Sequence, residues 1–525
     1  MQKIAMTFHS IGILISSSSP FSPGSVPRKA FMALAVAAAL GGCAAVGPDF
    51  KTPDAPAIER VTARAVPAAT AGAAVPGGDA QRFLADADVP AQWWTRFDNA
   101  ELNRRVQRAL ANSPTVVSAQ AALRQGEEGL NATRGSMLPA VDARAGITRQ
   151  RTNTAAVGST AATGPAFTLY NSSVNVSWAM DLFGAARRTL ENQTAQVEAQ
   201  RFQLEGTYLS LISNVVTASV QEASLRAQIK AAEQVVAAFS QQIDVAQKQV
   251  GFGSRAEGDL LPLKSQLAAA QAQLPALRQS LARIETQLAV YLGRAPSEAG
   301  TVVLELDALK LPTDIPVSLP SKLVQQRADV RAAESQLHAA TAQVGVATAN
   351  LLPQITLSGT LASQTPRAAN LFSASSGIWS VGVGALQPLF RGGSLQAQRR
   401  VAEAGLEKAV ADYQGVVLGA FKNVADSLEA LQFDAESLQA QADYFNTATR
   451  SYELAQTQYR LGAASYLQLL DAQRQYAQAQ SGVIQARAAR LADTAALFAA
   501  LGGGWWNREQ PVAEVRIGAD GKARN

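Results

Sequence analysis

Few residues in this 525-residue chain are equipped for chemistry, and their spacing limits what that chemistry is. There is one cysteine, Cys43, and there are two histidines, His9 and His338. His338 lies among Ala and Gln with no Cys or carboxylate at zinc-ligand spacing, so it reads as a helix-surface residue and not a ligand. No Walker A run, dinucleotide fingerprint or nucleophile elbow is present, and the glycines fall at turns instead of forming phosphate loops. Neither an enzyme nor a bound cofactor or metal is expected. What remains is charge and apolar pairing beside one turn. Leu467 and Asp471 stand four residues apart and share a helix face. Arg474 is three residues further on and Arg460 lies across the turn at Gly462, so either cation can pair with the carboxylate. An exposed pair of this kind contributes about 0 to 1 kcal/mol, which suits a contact that is easily released. Taken alone, these residues better suit a plain coiled coil, with Leu467 in the seam and Asp471 toward solvent.

The cysteine has a more specific setting. Arg28-Lys29 precedes the apolar run Ala30 to Leu40, and Leu40-Gly41-Gly42 leads directly into Cys43. A basic stretch, a short apolar run and small residues in that order make a cleavable leader. The run is too short to span a bilayer, which takes about 20 apolar residues. The order resembles a bacterial lipobox, in which the cysteine is diacylated on sulfur and then acylated on nitrogen. Covalent lipid on Cys43 would anchor the chain durably, each buried CH2 contributing about 0.8 kcal/mol. Ala44 follows where an Asp signals inner-membrane retention in many such lipoproteins, so the outer membrane is the expected destination. Met1 to Pro27 has no part in this scheme and is expected to lie upstream of the true start.

The elements that must position the rest are helical. Only 6% of residues are aromatic, while Ala, Gln, Leu and Arg fill long stretches. These are strong helix formers. The formal charge of +5 is scattered and interleaved with acids, which argues against nucleic acid as a partner.

The chain also repeats itself. Ser136-Met137-Leu138-Pro139-Ala140-Val141 recurs as Asn350-Leu351-Leu352-Pro353-Gln354-Ile355. Asp181-Leu182-Phe183-Gly184 is echoed by Pro388-Leu389-Phe390-Arg391-Gly392-Gly393. Gly253-Ser254-Arg255-Ala256 leading to Asp259-Leu260-Leu261 is echoed by Gly462-Ala463-Ala464-Ser465 leading to Gln468-Leu469-Leu470. Three landmarks in one order, 207 to 214 positions apart, mark a duplicated unit. Each unit reads as helix, strand, strand, long helix, turn, helix. The first helix is expected from Leu102 to Met137, with Pro139 stopping it. Val141, Ala143, Ala145 and Ile147 alternate with polar residues, as do Val174 to Met180, Ile355 to Leu361 and Trp379 to Ala385. Such period-two runs suit membrane-barrel strands, although alternation alone equally fits a soluble hairpin. From Tyr208 through Leu211, Val215 and Ala218 to Phe239, Ile243, Ala246 and Val250, apolar residues step by four and three, with only Glu222 interrupting. Val424, Leu428, Leu431, Ala435, Leu438, Ala442, Phe445, Thr449 and Tyr452 repeat the pattern. A period of 3.5 residues is a left-handed coiled-coil seam.

The expected organisation is a leader with signal peptide at 1–42 and a lipidated segment at 43–95. A first unit follows at 96–295, with strands near 140–152 and 168–182. An equatorial linker at 296–320 leads to a second unit at 321–501, with strands near 354–364 and 377–390, and a tail at 502–525. Four strands cannot enclose a lumen, and an open edge in lipid leaves backbone groups unpaired at several kcal/mol each. Three chains give twelve strands, an even number that closes.

With these residues in view, the chain resembles the TolC/OprM-type outer-membrane factors, in particular the lipoprotein branch serving resistance-nodulation-division pumps. The resemblance rests on the lipobox with Val46-Gly47-Pro48-Asp49-Phe50, on Trp93-Trp94, and on Arg327-Ala328-Asp329-Val330. It rests further on Leu389-Phe390-Arg391-Gly392-Gly393, Tyr459-Arg460-Leu461-Gly462 and the closing Ala500-Leu501-Gly502-Gly503-Gly504-Trp505. Ala328 stands where the family often has Pro. The resemblance implies a mainly α fold with a small β membrane part. In it, long coiled-coil helices form a periplasmic α-barrel and four strands per chain build a trimeric 12-stranded β-barrel. It further implies a homotrimer in outer-membrane lipid that meets a periplasmic adaptor protein and an inner-membrane resistance-nodulation-division transporter. The turns with Gly253, Ser254, Gly462, Ala463 and Ser465 would dock the adaptor. Leu467 and Asp471, with Arg474 and Arg460, would form the periplasmic gate. The expected function is a passive duct for small molecules expelled by the pump. A duct for an ABC-type protein exporter shares the fold, and the lipobox and Gly-Gly-Gly-Trp end favour the first reading. A coiled-coil lipoprotein without a pore is disfavoured by the strand pairs.

Overall fold

The computed structural model describes residues 45–54, 58, 60–151, 165–254, 256–300, 303–317, 320–509 and 512, with the backbone alone at 516–517 and 523–524. Cys43 and most of the loop expected to join the first two strands lie outside the described residues.

Two units follow one another. The first runs α1 (Ala100–Asn112), α2 (Pro114–Ser136), β2 (Ala140–Gln150), β3 (Phe167–Met180), α3 (Ala185–Gly251) and α4 (Leu260–Tyr291). The second runs α5 (Pro320–Gln326), α6 (Ala328–Ala349), β5 (Gln354–Thr365), β6 (Gly377–Leu386), α7 (Ser394–Arg460) and α8 (Tyr466–Ala500). The short strands β1 (Arg82–Ala85) and β4 (Asp314–Val317) lie outside this repeat and pair in parallel.

The helices α3 and α7 each have 67 residues, about 100 Å at 1.5 Å per residue. Both start after a glycine with positive φ, Gly184 at 84° and Gly393 at 78°. The seams follow the 3.5-residue pattern. Tyr208, Leu211, Val215, Ala218, Phe239, Ile243 and Ala246 are buried on α3, and Val424, Leu428, Leu431, Ala435, Leu438 and Ala442 on α7. Glu222, the one break in the first seam, is buried and held by Arg105 at 2.5 Å and Arg226 at 3.0 Å. A carboxylate there is tolerated because both oxygens meet guanidinium groups.

Three expectations need correction. The helix expected from Leu102 to Met137 is two helices. Ser113 is extended, with φ −66° and ψ 125°, and Pro114 opens the second helix, because a proline pushes the residue before it out of the helical region. The last strand, expected near 377–390, stops at Leu386, and Gln387-Pro388 cannot continue the ladder. His338 is not a simple surface residue: its Nε2 lies 2.9 Å from Glu191 Oε1 and its ring stacks on Phe50 with centroids 4.3 Å apart.

The densest core sits at the equator, where the amino-terminal segment, the linker and the carboxy-terminal turn collar the helices. Trp93 is fully buried and stacks on Phe498 at 5.5 Å. Buried Arg490 donates to Thr70 Oγ1 at 2.9 Å and to the Asp79 carbonyl at 2.7 Å, holding the incoming segment against α8.

The four-stranded sheet has the order β2-β3-β5-β6, all antiparallel. Its register sorts the side chains. Val141 pairs with Val176, Val176 with Gly359 and Gly359 with Val381; Ala143, Val174, Leu361 and Trp379 form another such row. Paired residues project to one face, so this face is apolar from strand to strand. Rows such as Asp142, Asn175, Thr360 and Ser380 occupy the other face, which is polar. Val141, Leu361, Trp379, Val381 and Val383 are exposed at 65 to 80% although they are apolar. β2 and β6 keep unpaired outer edges among the described residues.

Candidate functional site

The far ends of the long helices are two turns built alike. Gly253 donates to the Val250 carbonyl at 2.9 Å and Ser254 to that of Gln249 at 2.9 Å. In the second turn Gly462 donates to Tyr459 at 3.1 Å and Ala463 to Gln458 at 2.8 Å. Both are glycine-terminated helix ends in which the last carbonyls are satisfied by the returning backbone. Gly253 and Gly462 have φ of 71° and 73°, where a side chain is strained. Nothing surrounds either glycine within 4 Å of an added Cβ, so the turns are open to a partner. Ser465 caps α8: its Oγ accepts from Gln468 N at 3.3 Å, and Gln468 Oε1 accepts from Ser465 N at 2.8 Å.

Each tip also exposes a large apolar residue. Phe252 is 87% and Leu461 is 79% exposed, each immediately before its glycine. Both sit just outside the heptad pattern, where periodicity assigns no role, and their equivalent places in the two units were the available signal.

Beyond the second tip, Leu467 is 72% exposed, while its neighbours Leu469 and Leu470 are buried in the seam. Within the single chain, Leu467 therefore does not pack in the seam. Asp471 follows one turn later and pairs with Arg474 Nη2 at 2.5 Å; Gln475 Nε2 donates to its other oxygen at 2.7 Å. Arg460 is turned elsewhere, donating to Thr457 Oγ1 at 3.3 Å. Leu467, Asp471 and Arg474 thus form one face directed away from the seam, and Arg460 is not part of it. Aromatic rings stiffen the hairpin behind them: Tyr459 meets Tyr466 at 5.3 Å and Tyr452 stacks on Tyr476 at 5.4 Å. Gln242 links the two hairpins, donating to Gln473 Oε1 at 3.0 Å and accepting from Tyr466 OH at 3.2 Å.

At the other end of the helices, residues 45–50 are seated on α3 and α6. Arg188, 6% exposed, reaches Asp49 Oδ1 at 2.6 Å and Glu191 Oε2 at 2.8 Å, and donates to the carbonyl of Val46. Gly47 approaches Gly345 so closely that a Cβ on Gly47 would lie 2.5 Å from the Gly345 Cα. Burial disfavours ionised Glu191, but hydrogen bonds from Arg188 and His338 outweigh it and hold the carboxyl below its usual range.

A one-sided apolar sheet joined to 100 Å of paired helices, with open tips, is the geometry of a duct segment. The outer membrane efflux protein profile matches residues 106–294 and 319–503, one stretch for each repeat. The chain belongs to the outer membrane efflux protein family. Among relatives, the toluene efflux pump outer membrane protein TtgC of Pseudomonas putida is 30% identical over 91% of this chain and 96% of its own. The pyoverdine export outer membrane protein OpmQ of Pseudomonas aeruginosa is 30% identical over 82% and 92%. The probable outer membrane lipoprotein SilC of Salmonella typhimurium is 26% identical over 89% and 96%. Of solved structures, the outer-membrane channel OprN superposes with a TM-score of 0.77 at 29% identity, covering 88% of this chain and 99% of that one. The Campylobacter jejuni channel CmeC shares the fold at a TM-score of 0.77 and 20% identity, over 89% and 96%. This efflux protein is thus an outer-membrane channel component, with its sheet in the membrane and its helices outside it. Among the described residues, no helix is long and apolar enough to cross a membrane.

Proposed function

We propose that this efflux protein works as a homotrimeric passive duct, lipid-anchored through Cys43, that receives small molecules from an inner-membrane resistance-nodulation-division transporter through a periplasmic adaptor. The observation that carries the trimer is the sheet with two unpaired edges and one apolar face. Such a sheet is stable in lipid only when β2 of one chain pairs with β6 of the next, and three copies close the ring. Leu389, Phe390, Val401, Leu418 and Phe433 are exposed between 51 and 93% on a single chain, an apolar surface that suits the neighbouring chain. The loop at 366–376 then faces the exterior and the tips face the pump.

Three-fold symmetry brings three copies of Leu467 and Asp471 around one axis. A ring of leucines closes a pore by excluding water, and a ring of carboxylates makes a cation-selective constriction. The Asp471–Arg474 pair lies within one helix, so it positions the carboxylate at the proposed constriction and is weak enough to rearrange when an adaptor docks. The test is single-channel conductance in planar bilayers. Leu467→Ala with Asp471→Ala should raise conductance and reduce block by multivalent cations. Wild-type conductance and block in well-formed mutant trimers would remove these residues from the gate.

The efflux reading is preferred to an ABC-type protein exporter on the names borne by the relatives, which concern toluene, pyoverdine and antibiotic efflux.

A further inference from the structure

The outward face of the sheet ends in a collar of cations with no carboxylate near it in sequence. No Asp or Glu occurs from residue 143 to 180 or from 351 to 402, the two stretches that make almost all of the sheet and its loops. At the loop end of the sheet the same stretches carry Arg149, Arg151 and Arg367, all exposed and without an ion pair among the described residues.

Their placement follows from the register. Ile147, Tyr170 and Thr365 form one row across β2, β3 and β5 on the apolar face, with Ile147 71% exposed. Two residues further toward the loops, Arg149 continues that face opposite Thr168, and Arg151 follows two residues later. Arg367 lies two residues beyond Thr365 on β5, with its backbone N–H donating to Thr365 Oγ1. Arg149 is therefore one row above Ile147, whereas Arg367 stands above Thr365 and Ser363, with Leu361 the first apolar residue below them; the two arginines are two strands apart, roughly 10 Å at ordinary strand spacing. Asp142 and Arg144 near the other end belong to rows of alternate faces from Val141 and Ala143 and take no part in this collar.

We infer that Arg149, Arg151 and Arg367 form a binding surface for the phosphorylated glycolipid of the outer leaflet. Phosphate groups would meet the guanidinium forks, which bind such oxyanions in bidentate geometry, while the acyl chains lie on Ile147, Leu361 and Trp379 below. The complementarity is twofold: cations stand at headgroup height, and the apolar face begins at Ile147 below Arg149 and at Leu361 and Trp379 beneath a short polar step of Thr365 and Ser363. With no neighbouring carboxylate, the arginines have no internal competitor. The inference rests on the outer-membrane reading with the loops outward, and conductance of the wild-type trimer tests that reading separately.

The experiment uses the whole protein purified as trimers and measures retention of diphosphoryl lipid A by intact-protein mass spectrometry. Parallel arms use monophosphoryl lipid A and phosphatidylglycerol. Wild type should retain diphosphoryl lipid A best and lose it as salt rises. Arg149→Gln with Arg151→Gln and Arg367→Gln should weaken retention by roughly 100-fold, each arginine near a charged surface being worth about fivefold. Equal retention by the triple variant overturns the inference, as does equal retention of phosphatidylglycerol by wild type. Should the triple variant not assemble, the salt series and the lipid comparison on wild type decide alone: salt-independent retention, or indifference to the phosphate, overturns it.

Discussion

Asp434 on α7 and Asp493 on α8 put two carboxyl groups together beside Arg490. Burial, reinforced by the hydrogen bond and negative charge of Asp493, pushes the Asp434 carboxyl up to about 7, with Arg490 pulling the other way. Asp434 Oδ2 is buried and finds no donor unless one of the pair keeps its proton. An acid whose pKa is higher in the folded chain than in the unfolded chain favours folding while protonated. Its contribution is lost as pH rises from the ordinary carboxyl value toward 7. Thermal midpoints of the wild type should therefore fall between about pH 4 and pH 7, and Asp434→Asn should flatten that trend; an unchanged slope in the variant would refute the assignment. At Cys43, Cys43→Ser should abolish labelling by radioactive palmitate while trimers still form, because the barrel itself holds the membrane. Lipid label surviving in the variant would place the anchor elsewhere. Two features at this scale were beyond the sequence. Glu222 was visible as an interruption, but its partner Arg105 comes from a different helix. His338 meets Glu191 and Phe50, far away along the chain, and no local pattern announces such contacts.

The long helices and the sheet strands were legible because each has a period, 3.5 residues for the seams and two for the strands. What escaped were elements without one. β1 and β4 are four residues each and pair across more than 200 positions, where alternation has no length in which to appear. The break at Ser113-Pro114 was visible as a proline, yet the apolar pattern continues across it, and the missing N–H and steric restriction override that pattern. The tips lead to a prediction at this scale. Gly462→Trp should abolish drug resistance conferred by the assembled pump while leaving trimer yield intact, since the added side chain meets solvent and not the core. Phe252→Ser with Leu461→Ser should lower resistance without altering thermal stability, because both side chains are already exposed. Minimum inhibitory concentrations beside trimer yield on gels check both. A parallel loss of trimer would return these residues to a merely structural role.

For the molecule as a whole, the duplication makes two hairpins of one plan with different surfaces. Near its tip the first seam packs Phe239, Ile243 and Ala246 against leucines, whereas the second packs Ala455, Leu469 and Ala472 under the partly buried rings of Tyr452, Tyr459 and Tyr466. In the proposed trimer the tips are therefore six alternating wedges and not six equal ones. The two unpaired edges of the sheet carry a genetic consequence. A chain whose β6 edge is spoiled still offers a sound β2 edge, so it enters rings and then prevents their closure. Val383→Pro spoils β6 in this way, because a proline takes one N–H out of that edge strand. Expressed in equal amount beside the wild type, such a chain should act as a dominant poison, leaving roughly one ring in eight free of it if subunits mix at random. Drug susceptibility of a merodiploid strain reads this directly. Resistance at half the wild-type level or more would mean that spoiled chains are excluded before the ring is built.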